Sequence, residues 1–261
     1  FVRRVHAVLQ AALKQAVKER LIPYNPCENC RIPPKDKKEM TILPPEKIGR
    51  YLQEAEKYGV LPMFYLELSS GLRRGELLAL QWEDLNVKER ILTVNKQVTR
   101  MEGELDVTEP KTKNSVRKVA LSQQAVDLLV QEHEQHPDNP ILFPSPRTGG
   151  YWSPDAVSRI NRKLLKNAGI EKHVRFHDLR HTFATMAISS GVDVKTLSSM
   201  LGHYSAGFTL DTYTHITNDM QRGAAEKIGG FMESVTATTS PEPPDPPEES
   251  RCKVIPFEKV G

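Results

Sequence analysis

Apolar residues recur every three or four positions along most of the chain. Val2, Val5, Leu9, Ala12, Leu13, Ala16, Val17 and Leu21 keep that spacing, which predicts an amphipathic helix over residues 1–22. Pro23, Pro26, Pro33 and Pro34 then interrupt the pattern and predict a linker. A helix is expected from Thr41–Pro45 through Tyr58, a second over Leu61–Ser69 ending at Gly71, and a third from Arg74 carrying Leu77, Leu78 and Leu80. The period then changes. Ile91–Val94 with Val98, a Glu102-Gly103 turn, and Val116–Leu121 predict antiparallel strands. Helical spacing returns near residues 123–135, 154–168, 178–190, 194–201, 206–215 and 219–234, with Gly169 and Gly191 where helices end. The expectation is a mainly α fold with one small antiparallel β-sheet (α+β).

Composition adds the domain organisation. Residues 236–250 hold five Pro, four acids and no base, so 236–261 is expected to be a disordered acidic tail. The expected body is a catalytic domain at 35–235, preceded by a helix and linker at 1–34. No apolar run approaches a membrane span. The formal net charge is +3; taking away the tail's four negative charges moves the rest to +7. Its bases cluster: Arg3, Arg4, Lys14, Lys18 and Arg20 on the first helix, Lys111, Lys113, Arg117 and Lys118 in one short segment, and Arg159, Arg162, Lys163 and Lys166 on another helix. Such stripes suit a polyanion. Cys27-Glu28-Asn29-Cys30 has no second pair and Cys252 is remote, so free thiols in a reducing cytoplasmic compartment are expected, without metal or cofactor.

Four segments concentrate reactive side chains. In Gly71-Leu72-Arg73-Arg74-Gly75-Glu76, Arg73 stands at a helix N-terminus, where its fork and neighbouring N–H groups suit an anion, and Glu76 lies three residues on to brace it. In Pro110-Lys111-Thr112-Lys113, a lysine on a turn can reach a site and donate a proton. His177 and Arg180 project to one side at the start of a helix, as a phosphate-binding pair would. His177-Asp178-Leu179-Arg180-His181 also imitates a zinc-protease helix, but it has Asp where that chemistry needs Glu, and a fixed cation beside the metal position. Finally, Leu201-Gly202-His203 precedes a tyrosine, Tyr213, ten residues on. A tyrosine hydroxyl, with a pKa near 10, attacks only where cations favour the phenolate.

In that order the four segments resemble the tyrosine recombinases, or phage-type integrases. Leu78–Asp84 and Thr209–His215 look most like integrases of conjugative transposons and phages. The resemblance covers roughly residues 44–235. It implies that Arg73, Lys111, His177, Arg180 and His203 are the catalytic cations and donors, that Tyr213 is the nucleophile, and that Glu76 supports Arg73. Tyr204 is the rival nucleophile, but the family pattern places the attacking residue after Leu-Asp-Thr. Arg73 and Arg180 would clamp the nonbridging oxygens of a DNA phosphodiester, with His203 donating as well. His177 would help remove the Tyr213 proton, and Lys111 would protonate the departing 5′-oxygen. The implied product is a 3′-phosphotyrosyl link that a 5′-hydroxyl of double-stranded DNA reseals without ATP.

The first helix then resembles the last helix of a core-binding domain. The helix near 219–234, with Met220, Ala224, Ile228 and Phe231 on one face, would dock on a neighbouring protomer in a tetrameric synapse. Two alternatives remain open at this stage, a type IB topoisomerase with a similar residue set and a non-catalytic DNA-binding regulator built on 193–215.

Overall fold

The computed structural model describes residues 1–34, 41–101, 103–108, 116–202, 207, 209, 210, 223 and 225–235. The chain forms two compact units, Phe1–Thr41 and Ile42–Gly261.

The first unit is built on helix α1 (Val2–Lys18), which buries none of its residues. It ends four residues short of the expected limit, where Arg20 takes a left-handed φ of 60°. The returning segment is tied back by polar groups. The Asn25 side chain donates to the Gln10 carbonyl at 3.2 Å and accepts from the Cys27 amide at 2.9 Å.

In the second unit, α2 (Pro45–Lys57), α3 (Leu61–Ser70) and α4 (Arg74–Ala79) fall where the apolar spacing predicts. Prolines in the first turns of α2 and α3 sit where the backbone N–H has no helical partner. Helices α5 (Gln123–Glu134), α6 (Pro154–Asn167), α7 (Phe176–Ser189) and α8 (Val194–Leu201) follow. Ser122 caps α5, and Asp193 caps α8 by accepting from Lys195 and Thr196. Residues 225–235 are also helical.

The strand region divides in two. Strands β1 (Leu85–Asn86), β2 (Ile91–Val94) and β5 (Arg117–Ala120) form one antiparallel sheet, with Leu92 opposite Val119 and Val94 opposite Arg117. Strands β3 (Gln97–Met101) and β4 (Glu104–Thr108) form a separate hairpin. The expected single sheet is thus two, because the chain leaves the first after Val94 and does not return to it until Arg117. The hairpin adds little to the core: Val98 on β3 is buried in it, but the first four residues of β4 are exposed.

The core joins the apolar faces of these elements. Tyr51, Phe64 and Phe176 form an edge-to-face chain with ring centroids 5.8 and 5.7 Å apart. Leu72, Leu77, Leu78, Leu92, Val119, Leu129, Leu164 and Leu179 are buried around it. Gly71 ends α3 at φ 60°, and a Cβ there would lie 2.3 Å from Phe183 Cδ1. Only glycine lets α3 turn this close to α7.

Candidate active site

Arg73 is the N-cap of α4, and Glu76 is its third helical residue. The Arg73 amide donates to Glu76 Oε2 at 2.9 Å, and Arg73 Nη1 donates to Oε1 at 2.7 Å. The sequence predicts that the Arg73 fork and neighbouring N–H groups hold an anion; the amide of Arg73 itself is taken by the chain's own carboxylate. Arg175 and Asp178 repeat the device at the start of α7, with the Arg175 amide 2.7 Å from Oδ2 and Nη2 2.8 Å from Oδ1.

Glu76 has a second arginine that the sequence reading did not identify. Arg117 on β5 donates from Nη2 to Oε2 at 2.8 Å and from Nη1 to Oε1 at 3.1 Å. The two side chains are 6% and 3% exposed. Burial pushes the Glu76 carboxyl up, but the hydrogen bonds and charge of Arg117, with Arg73 behind them, hold it below the usual carboxylate range.

Three arginines from three elements then meet the C-terminal end of α8. Arg117 Nε donates to the Met200 carbonyl at 2.7 Å, Arg180 Nη2 to Leu201 at 2.6 Å, and Arg73 Nη2 to Gly202 at 2.9 Å. The last carbonyls of a helix lack intrahelical partners and carry the negative end of its dipole. Guanidinium groups satisfy three consecutive ones here and fix the backbone immediately before His203. Gly202 is left-handed at φ 63°, and a Cβ on it would lie 3.1 Å from Arg117 Cδ. The Leu-Gly-His segment therefore requires glycine for its turn and for the arginine beside it.

Arg180 is 3% exposed and also donates from Nη1 to the Gly71 carbonyl at 2.7 Å. Burial, followed by the neighbouring charge of Arg73, lowers its pKa to about 10. His177 is lowered too, chiefly by burial and then by Arg180, so its imidazole is neutral at pH 7. His181 packs edge-to-face on it at 5.1 Å and is lowered to about 4, first by burial and then by His177. Neutral imidazoles could ligate a metal, but the fixed positive charge of the buried Arg180 guanidinium beside them disfavours a cation here.

A cleft of about 600 Å³ opens beside His177 and is lined by Arg74, Arg162, His173 and Arg175. Arg74 is steadied by Ser158 Oγ at 2.7 Å. The structure thus brings Arg73, Glu76, His177 and Arg180 together and adds Arg117. Lys111, His203 and Tyr213 lie outside the described residues, as do Tyr204, Met220 and Ala224. Thr108, Gly202 and Leu210 are the described residues nearest Lys111, His203 and Tyr213 in the chain.

The sequence profile of the phage integrase family matches residues 43–220. The chain belongs to this family. It is 30% identical over 244 residues to the ICEBs1 integrase of Bacillus subtilis (strain 168), covering 88% of this chain and 66% of that protein. It is also 30% identical over 177 residues to the integrase of Staphylococcus phage L54a, covering 61% of this chain and 48% of that one. The chain therefore spans less than two thirds of these curated relatives. The integrase of transposon Tn1549, solved in complex with transposon right end DNA, superposes with a TM-score of 0.75 at 23% identity. That match covers 87% of this chain and 79% of that one, and it shows a shared fold. Among the described residues, no helix of this phage integrase family member is long and apolar enough to cross a membrane.

Proposed function

We propose that the chain is the catalytic part of a site-specific recombinase that cuts and rejoins double-stranded DNA during integration and excision of a mobile element. The observation that carries this reading is a charge imbalance. Arg73, Arg117 and Arg180 surround one ionised carboxylate, Glu76. Helix-end carbonyls offset part of the excess, and the charges of Arg73 and Arg117 add to burial, the larger cause, in lowering the Arg180 pKa. An anion among these groups relieves that repulsion, and a phosphate gaining charge in a transition state relieves it further.

In this reading Arg73 and Arg180 hold the nonbridging oxygens of the scissile phosphate, and His203 donates a further hydrogen bond. Glu76 and Arg117 are positioning residues that keep Arg73 aimed. His177, neutral at pH 7, accepts the proton of Tyr213 as its oxygen attacks phosphorus in line. Lys111 gives a proton to the departing 5′-oxygen. The product is a 3′-phosphotyrosyl bond and a free 5′-hydroxyl, and attack by a 5′-hydroxyl reverses the step. The cleft lined by Arg74, Arg162 and Arg175 takes neighbouring backbone phosphates. Ile228 and Phe231, exposed on the helical stretch 225–235, serve docking between protomers in a tetrameric synapse in the cytoplasm.

The test is a nicked suicide duplex carrying the attachment junctions of the encoding genome, incubated with EDTA. A covalent protein–DNA adduct is expected, persisting without metal and absent in Tyr213→Phe. An adduct that survives the substitution overturns the assignment.

A further inference from the structure

We infer that His6, Cys27 and Cys30 form a binding site for a thiophilic divalent cation, of which zinc is the representative. The sequence offers one CxxC pair and no obvious third ligand. The fold supplies it. The turn bearing Cys27 and Cys30 returns along α1, and the two thiols and the His6 imidazole place their ligand atoms within 4.8 Å of one another. Two sulfurs on a tetrahedral zinc ion, each about 2.3 Å from it, lie about 3.8 Å apart. Side-chain adjustments of about 1 Å therefore close the site around an ion.

The surrounding geometry is already ordered for this. His6 Nε2 lies 3.3 Å from the Cys27 carbonyl oxygen, which ties the ring to the turn that carries the thiols. The Cys30 amide donates to the same carbonyl at 3.3 Å, closing the CxxC turn. The Cys27 amide is held by Asn25 Oδ1, whose side chain is anchored to α1 through Gln10. Cys27 is buried and Cys30 exposed, so an ion reaches the pair from the solvent side.

The donor set selects the metal class. Two thiolates and one imidazole suit zinc and disfavour magnesium or calcium, which take oxygen ligands. Each thiol releases its proton to solvent on binding, so the two thiolates balance the charge of the dication. Three protein ligands leave a fourth position for water. The benefit is local. Helix α1 buries none of its residues and the turn is tied to it by polar groups, so a metal cross-link between the two adds to the hold on this unit.

The experiment uses the full chain in a Cys252→Ser background, reduced, freed of metal by a chelator, and titrated with Co²⁺. One equivalent should bind, with near-ultraviolet thiolate-to-cobalt charge transfer and intensified visible bands of tetrahedral Co²⁺, both bleached by Zn²⁺. Cys30→Ser, at an exposed position, should lose about half the charge-transfer intensity and weaken binding by tenfold or more. His6→Asn should weaken binding to a similar extent while keeping the charge transfer. Circular dichroism confirms that each variant is folded. Absence of charge transfer with both thiols titrated as free overturns the site, as does affinity unchanged in His6→Asn. A Cys27–Cys30 disulfide that forms in air despite equimolar zinc overturns it as well.

Discussion

Replacing Arg117 with Met tests whether the site is braced from below. The substitution keeps much of the side-chain length but removes a guanidinium that holds both Glu76 oxygens and the Met200 carbonyl. Removing one partner of a buried ion pair costs about 3–5 kcal/mol, since the remaining charge is left desolvated. Glu76 keeps Arg73 at 2.7 Å, which places the loss near the lower end, about 3 kcal/mol. For a chain of this size that is a fall in Tm of about 6–12 °C. Arg117→Lys keeps the charge but cannot fork the carboxylate and reach the carbonyl together, so its loss should be about half as large. In Glu76→Gln/Arg117→Met no charge is left unpaired between the two positions, so the double loss should fall short of the summed single losses by about 2 kcal/mol. Urea unfolding at pH 7 measures the parent, Arg117→Met, Arg117→Lys, Glu76→Gln and the double variant. A loss below about 0.5 kcal/mol in Arg117→Met, with additive double-variant behaviour, would refute the brace.

Three further outcomes follow from buried groups and backbone geometry. Both carboxyl oxygens of Glu67 are buried without a hydrogen-bond partner among the described residues, and burial, opposed by Arg180, raises its pKa well above 4.5. The folded chain holds that proton while the unfolded chain releases it, so stability declines as pH rises from about 4.5 toward the raised native value. Glu67→Gln should flatten this decline, and an unchanged pH profile in urea melts contradicts it. His181 has the opposite sign. Its contribution is present above 6.5 and is lost as pH falls through its native value of about 4, so His181→Gln should reduce acid sensitivity in thermal melts between those limits. An acid response identical to the parent's counts against this. Gly71→Ala should destabilise by about 2–4 kcal/mol, combining left-handed strain with the 2.3 Å approach to Phe183. A thermal melt matching the parent's refutes the close-packing argument.

Local chemistry was legible in the sequence wherever the partner lay within a few residues. Arg73 with Glu76, and His177 with Arg180, were visible because residues three apart on a helix share a side. Helix limits near Gly71, Gly169 and Gly191 were visible because each glycine takes a positive φ. Arg117 was hidden, since its carboxylate lies 41 residues away and it sat among other bases that read as a charged turn. One signal pointed to it. Arg117 and Val119 share a face of β5 by the two-residue period, and that face is buried. The split strand region was hidden too, because alternation alone does not say which neighbour a strand pairs with. Glu67 lies in an apolar helix with no partner nearby in the sequence, so nothing in its surroundings announced a carboxyl with a raised pKa. His6 is likewise 21 residues from the thiol it approaches.

One bond between protein and DNA decides the chemistry. Adduct trapped on the suicide duplex can be digested with protease and nuclease, and the nucleotide-bearing peptide sequenced by mass spectrometry. A nucleotide 3′-phosphate is expected on the hydroxyl of Tyr213. A nucleotide on Tyr204, or on any other residue, would contradict it.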